Sequence, residues 1–372
     1  MQHPAMDMEA VRREPAARRI VRSWRALTGG RAVVDADRRT LVACSGGADS
    51  TALAVVLAAT GAGGVVLGHV VHDFRDGAET AAERDRVAGL AARLGVGFVE
   101  TSVAVRGHVG NAEGNARRAR YRELERLAFE AGCPFVATGH HADDQLETVL
   151  MGLLRGAGVG GLGGVRPRRA LGVNGAKGSR GVELVRPMLE VGRADAERLC
   201  ACAGVDWATD PTNADLSRFR AAIRHSVLPG LAKIRPTGAA RAVESARQMR
   251  EISDLLETLA GALLARAARD GGAICWERSE LAGAHPAVAS AALRLGFAQL
   301  HGGRLADRLA ARSVRRVVEA IGCVGGVGGA GASDANGMRG TRTNSDPKRF
   351  VWKATEVTVT PTSVTMRSTS DG

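Results

Sequence analysis

Six consecutive residues, Ser45-Gly46-Gly47-Ala48-Asp49-Ser50, have the composition of a phosphate-binding loop. They follow a short apolar run at 40–44 and precede a stretch with helical character. Two glycines let successive backbone N–H groups form a nest, and the positive end of the following helix adds to it. The hydroxyls of Ser45 and Ser50 can donate to phosphate, and the Asp49 carboxylate can hold Mg²⁺. The loop therefore predicts a nucleotide site.

An ordinary helix start offers a simpler explanation of the same residues, because Ser and Asp are preferred at helix N-caps. Six such residues directly after a strand favour the nucleotide site over the cap. The lysine of a Walker loop is missing, which disfavours a P-loop NTPase.

A second polar motif, Gly139-His140-His141-Ala142-Asp143-Asp144-Gln145-Leu146-Glu147-Thr148, follows another strand-like run. On a helix, His140 and Asp144 share a face, as do Asp143 and Glu147. Such carboxylates at the carboxyl edge of a sheet could hold magnesium, bind a substrate ammonium group or accept a proton. The helix dipole alone would explain the acidic residues but not the histidines beside them.

Strand-like and helix-like segments alternate around these motifs. Apolar, β-prone runs at 40–44, 65–71, 96–103, 134–138 and 182–185 are separated mostly by stretches with helical spacing. This alternation predicts an α/β fold with a doubly wound parallel sheet.

The chain of 372 residues is long enough for two or three domains. A smaller, mainly helical domain with short terminal strands is expected after the sheet, although those strands could also form a separate tail. We predict a basic N-terminal extension over 1–39, the nucleotide-binding domain over 40–217, the helical domain over 218–321, a Gly-rich disordered insertion over 322–348 and terminal strands over 349–372.

Charge and apolar content limit the function classes. Lys and Arg number 51 against 39 Asp and Glu, a net charge of +12, which favours a phosphate-rich partner or an acidic surface. Apolar runs are far shorter than the roughly 20 residues of a membrane span, so no membrane partner is expected. No apolar signal segment follows the N-terminal arginines, which predicts a cytoplasmic protein.

The six cysteines are scattered without a Cys-x-x-Cys pair, which disfavours a zinc ribbon, a redox motif or an iron–sulfur site.

The loop at 45–50 resembles the pyrophosphatase loop of the N-type ATP pyrophosphatases, the PP-loop superfamily. The motif at 139–148, running into Leu154-Arg155-Gly156-Ala157-Gly158, is similar to the signature of the tRNA(Ile)-lysidine synthase family. Segments 69–75, 116–121, 210–213 and 220–224 support the resemblance, although Val71 and Ala221 stand where the family usually has Asn. The resemblance covers roughly 40–235 well and the remainder only in outline.

The resemblance implies an ATP-dependent ligase that acts on an isoleucine tRNA with a CAU anticodon. Carbon 2 of the wobble cytidine is adenylated, and free L-lysine then displaces AMP to form lysidine, with pyrophosphate also released. The implied cofactors are ATP and Mg²⁺, and the implied partners are that tRNA and lysine. A homodimer is a further expectation, separate from the resemblance.

The resemblance also assigns roles to residues. The loop at 45–50 would hold the pyrophosphate end of ATP, with Asp49 on the metal. Arg117 and Arg120, spaced on one helix face, would stabilise charge on the triphosphate or contact the flipped cytidine. The catalytic set is Asp49, Asp144, Arg117, Arg120 and His140, with His140 orienting the reacting groups.

Further residues are expected to bind lysine and tRNA. Asp144, with Asp143 and Glu147 near it, would bind or deprotonate the lysine ammonium group. Arginines of the Gly-rich stretch and of the segment after it would grip tRNA phosphates, a contact that salt weakens. These are Arg155, Arg166, Arg168, Arg169, Arg220 and Arg224, with further arginines of the helical domain.

Two other functions compete with this one. A tRNA thiolase could use the same loop, but such relatives generally use Cys-x-x-Cys or a catalytic Cys. An inert RNA-binding protein could keep the fold as a scaffold, and in that case Arg117 and Arg120 would be a solvated basic helix face. The missing Cys-x-x-Cys pair argues against the thiolase, and the loop together with the motif at 139–148 argues against the inert scaffold.

Overall fold

A computed structural model describes the chain in nine stretches: residues 6–61, 63–72, 77–103, 112–171, 181–208, 219–302, 309–322, 346–352 and 354–369. The chain divides into two compact units, Met1–Arg250 and Glu251–Gly372. This division falls within a helix, whereas the sequence places the domain boundary at 217. The difference arises because a continuous helix carries no Gly- or Pro-rich break to mark a boundary.

A six-stranded sheet forms the centre of the first unit, in the order β3-β2-β1-β4-β6-β5. All neighbours are parallel except β5, which runs antiparallel to β6. The strands are β1 (Thr40–Ala43), β2 (Val65–His72), β3 (Gly97–Val103), β4 (Phe135–Ala137), β5 (Arg168–Ala170) and β6 (Glu183–Val185). The parallel sheet expected from the sequence is thus confirmed, with β5 added inside a stretch that reads as a loop.

Helices connect these strands. They are α1 (Met8–Arg13), α2 (Pro15–Leu27), α3 (Ala48–Ala58), α4 (Gly77–Leu94), α5 (Ala112–Glu130), α6 (Ala142–Leu154), α7 (Val159–Leu162), α8 (Arg193–Cys202), α9 (Phe219–Ala222), α10 (Leu228–Ile234) and α11 (Gly238–Arg266).

Apolar residues alternate along β1 between two cores, one on each face of the sheet. Leu41 packs with Tyr121 and Leu124 of α5, while Val42 packs with residues of α2, α3, α4 and α8. Successive strand residues point to opposite faces, so each core takes every second residue. The sheet is therefore covered on both faces, with α3 and α5 on opposite sides.

The segment that the sequence marks as an extension, 1–39, packs into the first unit from residue 6 onward. Ile20 and Trp24 of α2 are fully buried in the core that contains α3. The indole Nε1 of Trp24 donates a hydrogen bond to Thr40 Oγ1 over 3.1 Å. The arginines of α2 lie on its outer side, so a basic composition coexists with a buried apolar stripe.

The second unit combines helices with a five-stranded antiparallel sheet in the order β7-β8-β11-β10-β9. Its elements after α11 are β7 (Ala268–Asp270), β8 (Ala273–Glu277), α12 (Arg278–Ala282), α13 (Pro286–Leu300), α14 (Ala311–Ile321), β9 (Lys348–Trp352), β10 (Thr355–Val359) and β11 (Ser363–Ser368). The terminal strands are present as expected, and β8 joins them to a hairpin that the sequence pattern does not reveal. Most of the expected insertion, 323–345, lies outside the described residues.

Among the described residues, no helix has both the length and the apolar content that crossing a membrane requires.

Candidate active site

The loop at 45–50 connects β1 to α3 at the carboxyl edge of the sheet. Gly46 has φ of +79°, a conformation that side-chain-bearing residues rarely adopt. The backbone N–H of Ser45 donates to Ser50 Oγ over 3.2 Å, and Ser50 Oγ donates to the Gly47 carbonyl over 3.1 Å. The hydroxyl of Ser50 thus stabilises the turn itself, while Ser45 is exposed at the mouth of the loop.

The second motif packs directly on this loop. A Cβ atom at Gly139 would lie 2.8 Å from the backbone C and O of Asp49 and 3.0 Å from Ser50 N. Only glycine allows the chain leaving β4 to approach the first turn of α3 this closely. The structure therefore brings together the two motifs that the sequence presents about ninety residues apart.

The ring of His141 lies next to carboxylates of both motifs. Its ring is buried, with Nε2 3.5 Å from Asp49 Oδ2 and Nδ1 3.4 Å from Asp143 Oδ2. Burial lowers the pKa of His141, but contacts with Asp143, Asp49 and Asp144 outweigh it and raise the pKa to about 10. His141 is therefore a cation held among three carboxylates, a role that the sequence interpretation did not assign to it.

The helical spacing argument for His140 is wrong, because α6 begins only at Ala142. His141 is the N-cap, and its backbone N–H donates to Asp144 Oδ2 over 3.0 Å in a capping box. His140 lies before the helix, with Nδ1 2.8 Å from Thr138 Oγ1. Burial, together with nearby arginines, lowers the pKa of His140 to about 3, so its ring is neutral.

Asp144 and Glu147, on one face of α6, form ion pairs with Arg220 and Arg224. Arg220 lies 3.0 Å from Asp144 and 2.7 Å from Glu147, and Arg224 lies 3.1 Å and 2.5 Å from the same carboxylates. Glu147 is fully buried. The structure thus pairs two residues expected to bind lysine with two expected to bind tRNA.

Asp143 faces the other side of the helix start. Its Oδ2 accepts a hydrogen bond from the backbone N–H of Arg193, at the beginning of α8, over 2.9 Å. The side-chain hydrogen bond with His141 is the main cause that lowers the pKa of Asp143.

Arg117 and Arg120 lie on the α5 face around Tyr121, the single tyrosine of the chain. Their guanidinium carbons are 5.3 and 5.7 Å from the centre of the Tyr121 ring, and that of Arg169 is 4.8 Å away. Arg186, which directly follows β6, also interacts with Tyr121. The sequence reasoning missed both Tyr121 and Arg186, since no motif spacing links them.

The other arginines expected to bind tRNA lie on the first unit. The Arg155 guanidinium is 5.3 Å from the Phe219 ring centre, and Arg168 forms an ion pair with Glu183. Arg155, Arg166 and Arg168 are all exposed. The family segments at 73–75 and 210–213 lie outside the described residues.

Gln145 anchors the stretch that follows α6, another role that the sequence reasoning missed. It is fully buried, and its side chain donates to the Val165 carbonyl over 3.1 Å and accepts from the Val165 N–H over 2.6 Å. Gly164, with φ of +64°, packs against the Gln145 amide, where a Cβ would lie 2.4 Å away. The arginine-bearing stretch is thereby fixed to the motif helix.

The residues present fit a magnesium ion shared with phosphates. Asp49 Oδ1 is a buried oxygen that has no hydrogen-bond partner among the described residues. Those residues contain no group of three or more side chains that could hold a metal by themselves. Mg²⁺ commonly takes one or two carboxylates and completes its shell with substrate phosphates and water, which matches a single aspartate beside a phosphate loop.

Comparison with known proteins identifies the first unit. A family model described as the PP-loop domain matches residues 17–231. The chain is 41% identical over 219 residues to the tRNA(Ile)-lysidine synthase of Salinispora tropica, covering 57% of this chain and 62% of that protein. It is 37% identical over 286 residues to the tRNA(Ile)-lysidine synthase of Streptomyces coelicolor, covering 74% and 76% of the two chains.

A solved structure shows the same fold at lower identity. The U34-tRNA thiolase of Methanococcus maripaludis, which carries a 4Fe-4S cluster, superposes with a TM-score of 0.51 and 19% identity, over 64% of this chain and 81% of that one. At this identity the likeness concerns the fold alone.

The matched loop, the motif packed on it and the identities to curated relatives agree in one conclusion. The chain belongs to the tRNA(Ile)-lysidine synthase family of PP-loop proteins.

Proposed function

We propose that this chain converts the wobble cytidine of an isoleucine tRNA with a CAU anticodon to lysidine. The observation that carries the proposal is the contact between the two motifs, in which His141 lies 3.5 Å from Asp49 and Gly139 packs on the Asp49 backbone. The contact brings the loop at 45–50 and the carboxylates of the second motif to one edge of the sheet. A reaction that first attaches AMP to cytidine and then displaces it with lysine needs both groups in one site.

In the first step, the cytosine O2 attacks the α-phosphate of ATP, and pyrophosphate leaves. The nest at 45–50 would bind the pyrophosphate end, and Asp49 would hold Mg²⁺, which neutralises charge on the departing phosphates when bound. His141 fixes the Asp49 carboxylate from the protein side. Arg117 and Arg120, around Tyr121, would act on the RNA side of the site, near the target cytidine.

In the second step, the lysine side chain loses a proton to water, its neutral amine attacks carbon 2, and AMP leaves with the former O2. Asp143, Asp144 and Glu147 would bind the lysine ammonium group. The pKa of Asp144 is lowered, since His141 and Arg220 outweigh its burial, and a lowered pKa favours a charge partner over a proton acceptor. Because Asp144 and Glu147 already pair with Arg220 and Arg224, a bound ammonium group would replace existing ion pairs.

We propose that four exposed arginines bind tRNA phosphates, namely Arg155, Arg166, Arg168 and Arg169. Arg220 and Arg224 would reach RNA only after leaving their carboxylates. The homodimer and the cytoplasmic location stay predictions.

A thiolase on the same fold is the second candidate, and the cysteine chemistry disfavours it. Burial and the nearby Asp49 raise the pKa of Cys200 to about 12, and burial also raises the pKa of Cys44. Thiols with raised pKa values are poor nucleophiles.

The test is incorporation of labelled lysine. Purified protein is incubated with ATP, Mg²⁺, labelled lysine and a CAU-anticodon isoleucine tRNA transcript, and label in the RNA and released pyrophosphate are measured. Label that depends on ATP and on the C of the anticodon is expected, with a transcript carrying a UAU anticodon as the control. Absence of both label and pyrophosphate would refute the proposed reaction.

A further inference from the structure

Four guanidinium groups converge on Tyr121 at the carboxyl edge of the sheet, on its α5 face. Arg117 and Arg120 come from α5, Arg169 from β5 and Arg186 from the residue after β6. Arg117 donates to the Tyr121 hydroxyl over 3.2 Å. We call these four arginines with Tyr121 the arginine cluster.

Among the residues that the structure describes, no carboxylate compensates the charge of the arginine cluster. None of its four arginines forms an ion pair with a carboxylate in the part of the chain that the structure describes. Arg186 is 97% buried, and its Nε has no hydrogen-bond partner there. Burial lowers the pKa values of both Arg186 and Arg120, and the arginines outweigh burial to lower the pKa of Tyr121. Buried cations without anions are costly, so the arrangement favours an anion that is not part of the chain.

We propose that the arginine cluster binds a backbone phosphate of the RNA substrate next to the target nucleotide, and not the triphosphate of ATP. This inference rests on the proposed function and names the ligand of one part of that site. Arginine suits the role because its planar fork binds phosphate oxygens through two hydrogen bonds.

The arginine cluster lies on the face of the sheet opposite the helix that follows the phosphate loop. The phosphate loop precedes α3, which packs on the opposite face of the sheet from α5. The loop already supplies a backbone nest for the pyrophosphate end of the nucleotide. The pKa of His140 is lowered mainly by burial and in part by the charges of Arg186 and Arg117, so the arginine cluster lies within electrostatic range of this residue of the second motif.

Continuity with the proposed tRNA surface favours RNA as the source of the phosphate. Arg169 is exposed and is one of the residues proposed for tRNA phosphates, and the Arg186 guanidinium donates to the backbone carbonyl of Arg166. Through Arg169 the arginine cluster reaches the protein surface, where an RNA strand can approach it. Phosphate contacts of this kind position a nucleic acid without reading its sequence.

The experiment measures two affinities separately in the full-length protein without lysine. The dissociation constant of the CAU-anticodon tRNA transcript is measured by fluorescence anisotropy at several salt concentrations, and that of a non-hydrolysable ATP analogue by calorimetry. The variants are Arg169→Gln, whose side chain is exposed, and Arg186→Gln, whose folding is checked by its melting temperature. Arg122→Gln, an exposed arginine next to Tyr121 on α5, is the matched control.

In both cluster variants the tRNA dissociation constant should rise about tenfold, the effect of one charge-assisted hydrogen bond. The slope of log K against log salt should shrink by about one. Binding of the ATP analogue should stay within about twofold of the unmodified protein, which is close to measurement error in such affinities. Arg122→Gln should change neither affinity.

Two outcomes overturn the assignment. Weaker binding of the ATP analogue by Arg169→Gln would assign the arginine cluster to the triphosphate, and unchanged tRNA affinity in Arg169→Gln would make it structural. Because lysine is absent from both assays, the result is independent of lysidine formation. If the unmodified protein makes lysidine but Arg169→Gln binds tRNA with unchanged affinity, only this inference is refuted and the proposed function stands.

Discussion

The pairing of His141 with Asp49 organises the site at the level of single residues. Asp49 is partly exposed toward the loop, and the buried imidazolium of His141 lies on its inner side. Of the two adjacent histidines, sequence spacing favoured His140, because it assumed a helix that already included that residue. The capping box starts α6 two residues later and turns His141 toward the carboxylates.

Replacing His141 with Gln should lower kcat for lysidine formation about 10- to 100-fold, the usual cost of losing a group that orients a ligand-holding carboxylate. The neutral amide can still form a hydrogen bond but leaves Asp49, Asp143 and Asp144 without their shared cation. Kinetics with saturating tRNA and ATP would measure the loss. A kcat equal to that of the unmodified protein, at equal melting temperature, would show that His141 has no role in catalysis.

Gly139→Ala should weaken ATP binding and lower the melting temperature, because its methyl group would lie 2.8 Å from the Asp49 backbone. The loop or the start of α6 must shift to relieve the overlap. Gly89→Ala in α4 is the control, since a Cβ there meets nothing within 4 Å and alanine favours a helix by about 1 kcal/mol. Calorimetric titration with an ATP analogue compares the two, and equal affinities would contradict the close packing described here.

At the level of helices and strands, ion pairs join α6 to α9 and the residues after it. Glu147 is fully buried, and both Arg220 and Arg224 reach it from the segment around α9. The sequence indicated polar roles for all of these residues but could not show that they meet, since more than seventy residues separate them. Helix packing thus converts two expected ligand-binding sets into one ion-pair network.

Glu147→Gln should lower the free energy of unfolding by about 3 kcal/mol, because two partly buried guanidinium groups would keep only Asp144 as a shared anion. Glu130→Gln is a suitable comparison, since the Glu130 ion pair with Arg126 is exposed and should cost less than about 1 kcal/mol. Urea denaturation followed by circular dichroism measures both. Equal and small losses would mean that Glu147 is not structural and is free to bind lysine.

The N-terminal helices also show how packing overrides composition. Arginines dominate α2, which is why the sequence reads as a basic extension. Ile20 and Trp24 nevertheless lie on one side of that helix and are fully buried against the core that contains α3. An apolar stripe of a few residues is enough to make a basic helix part of a domain.

Charge acts at the level of the whole molecule. The surplus of 12 positive charges is distributed over both units, with arginines on the first unit around Arg155 and Arg168 and on the exposed side of α14 in the second. Aromatic residues make up only 3% of the chain, which leaves little capacity for base stacking. Under the proposed function, phosphate contacts would therefore supply most of the affinity for RNA.

Binding of the tRNA transcript should accordingly fall steeply with salt. With about six phosphate contacts, affinity should drop about 10³-fold between roughly 50 and 200 mM salt. Filter binding across this range measures the slope. A nearly flat profile would show that uncharged contacts dominate and would contradict the phosphate-based recognition.

The sequence by itself determined the local chemistry and the order of the elements. Local patterns can be recognised from the sequence because turns, caps and strands depend on neighbouring residues. Examples are the glycines at 46 and 47, Asp49 and the acidic start of α6. Family membership followed from the same short segments.

Only the tertiary structure decided which of these groups meet. It placed His141 on Asp49, paired Arg220 and Arg224 with Glu147, and gathered four arginines from three segments around Tyr121. Such contacts depend on how helices and strands pack across the sheet, a long-range property that periodicity and spacing do not encode.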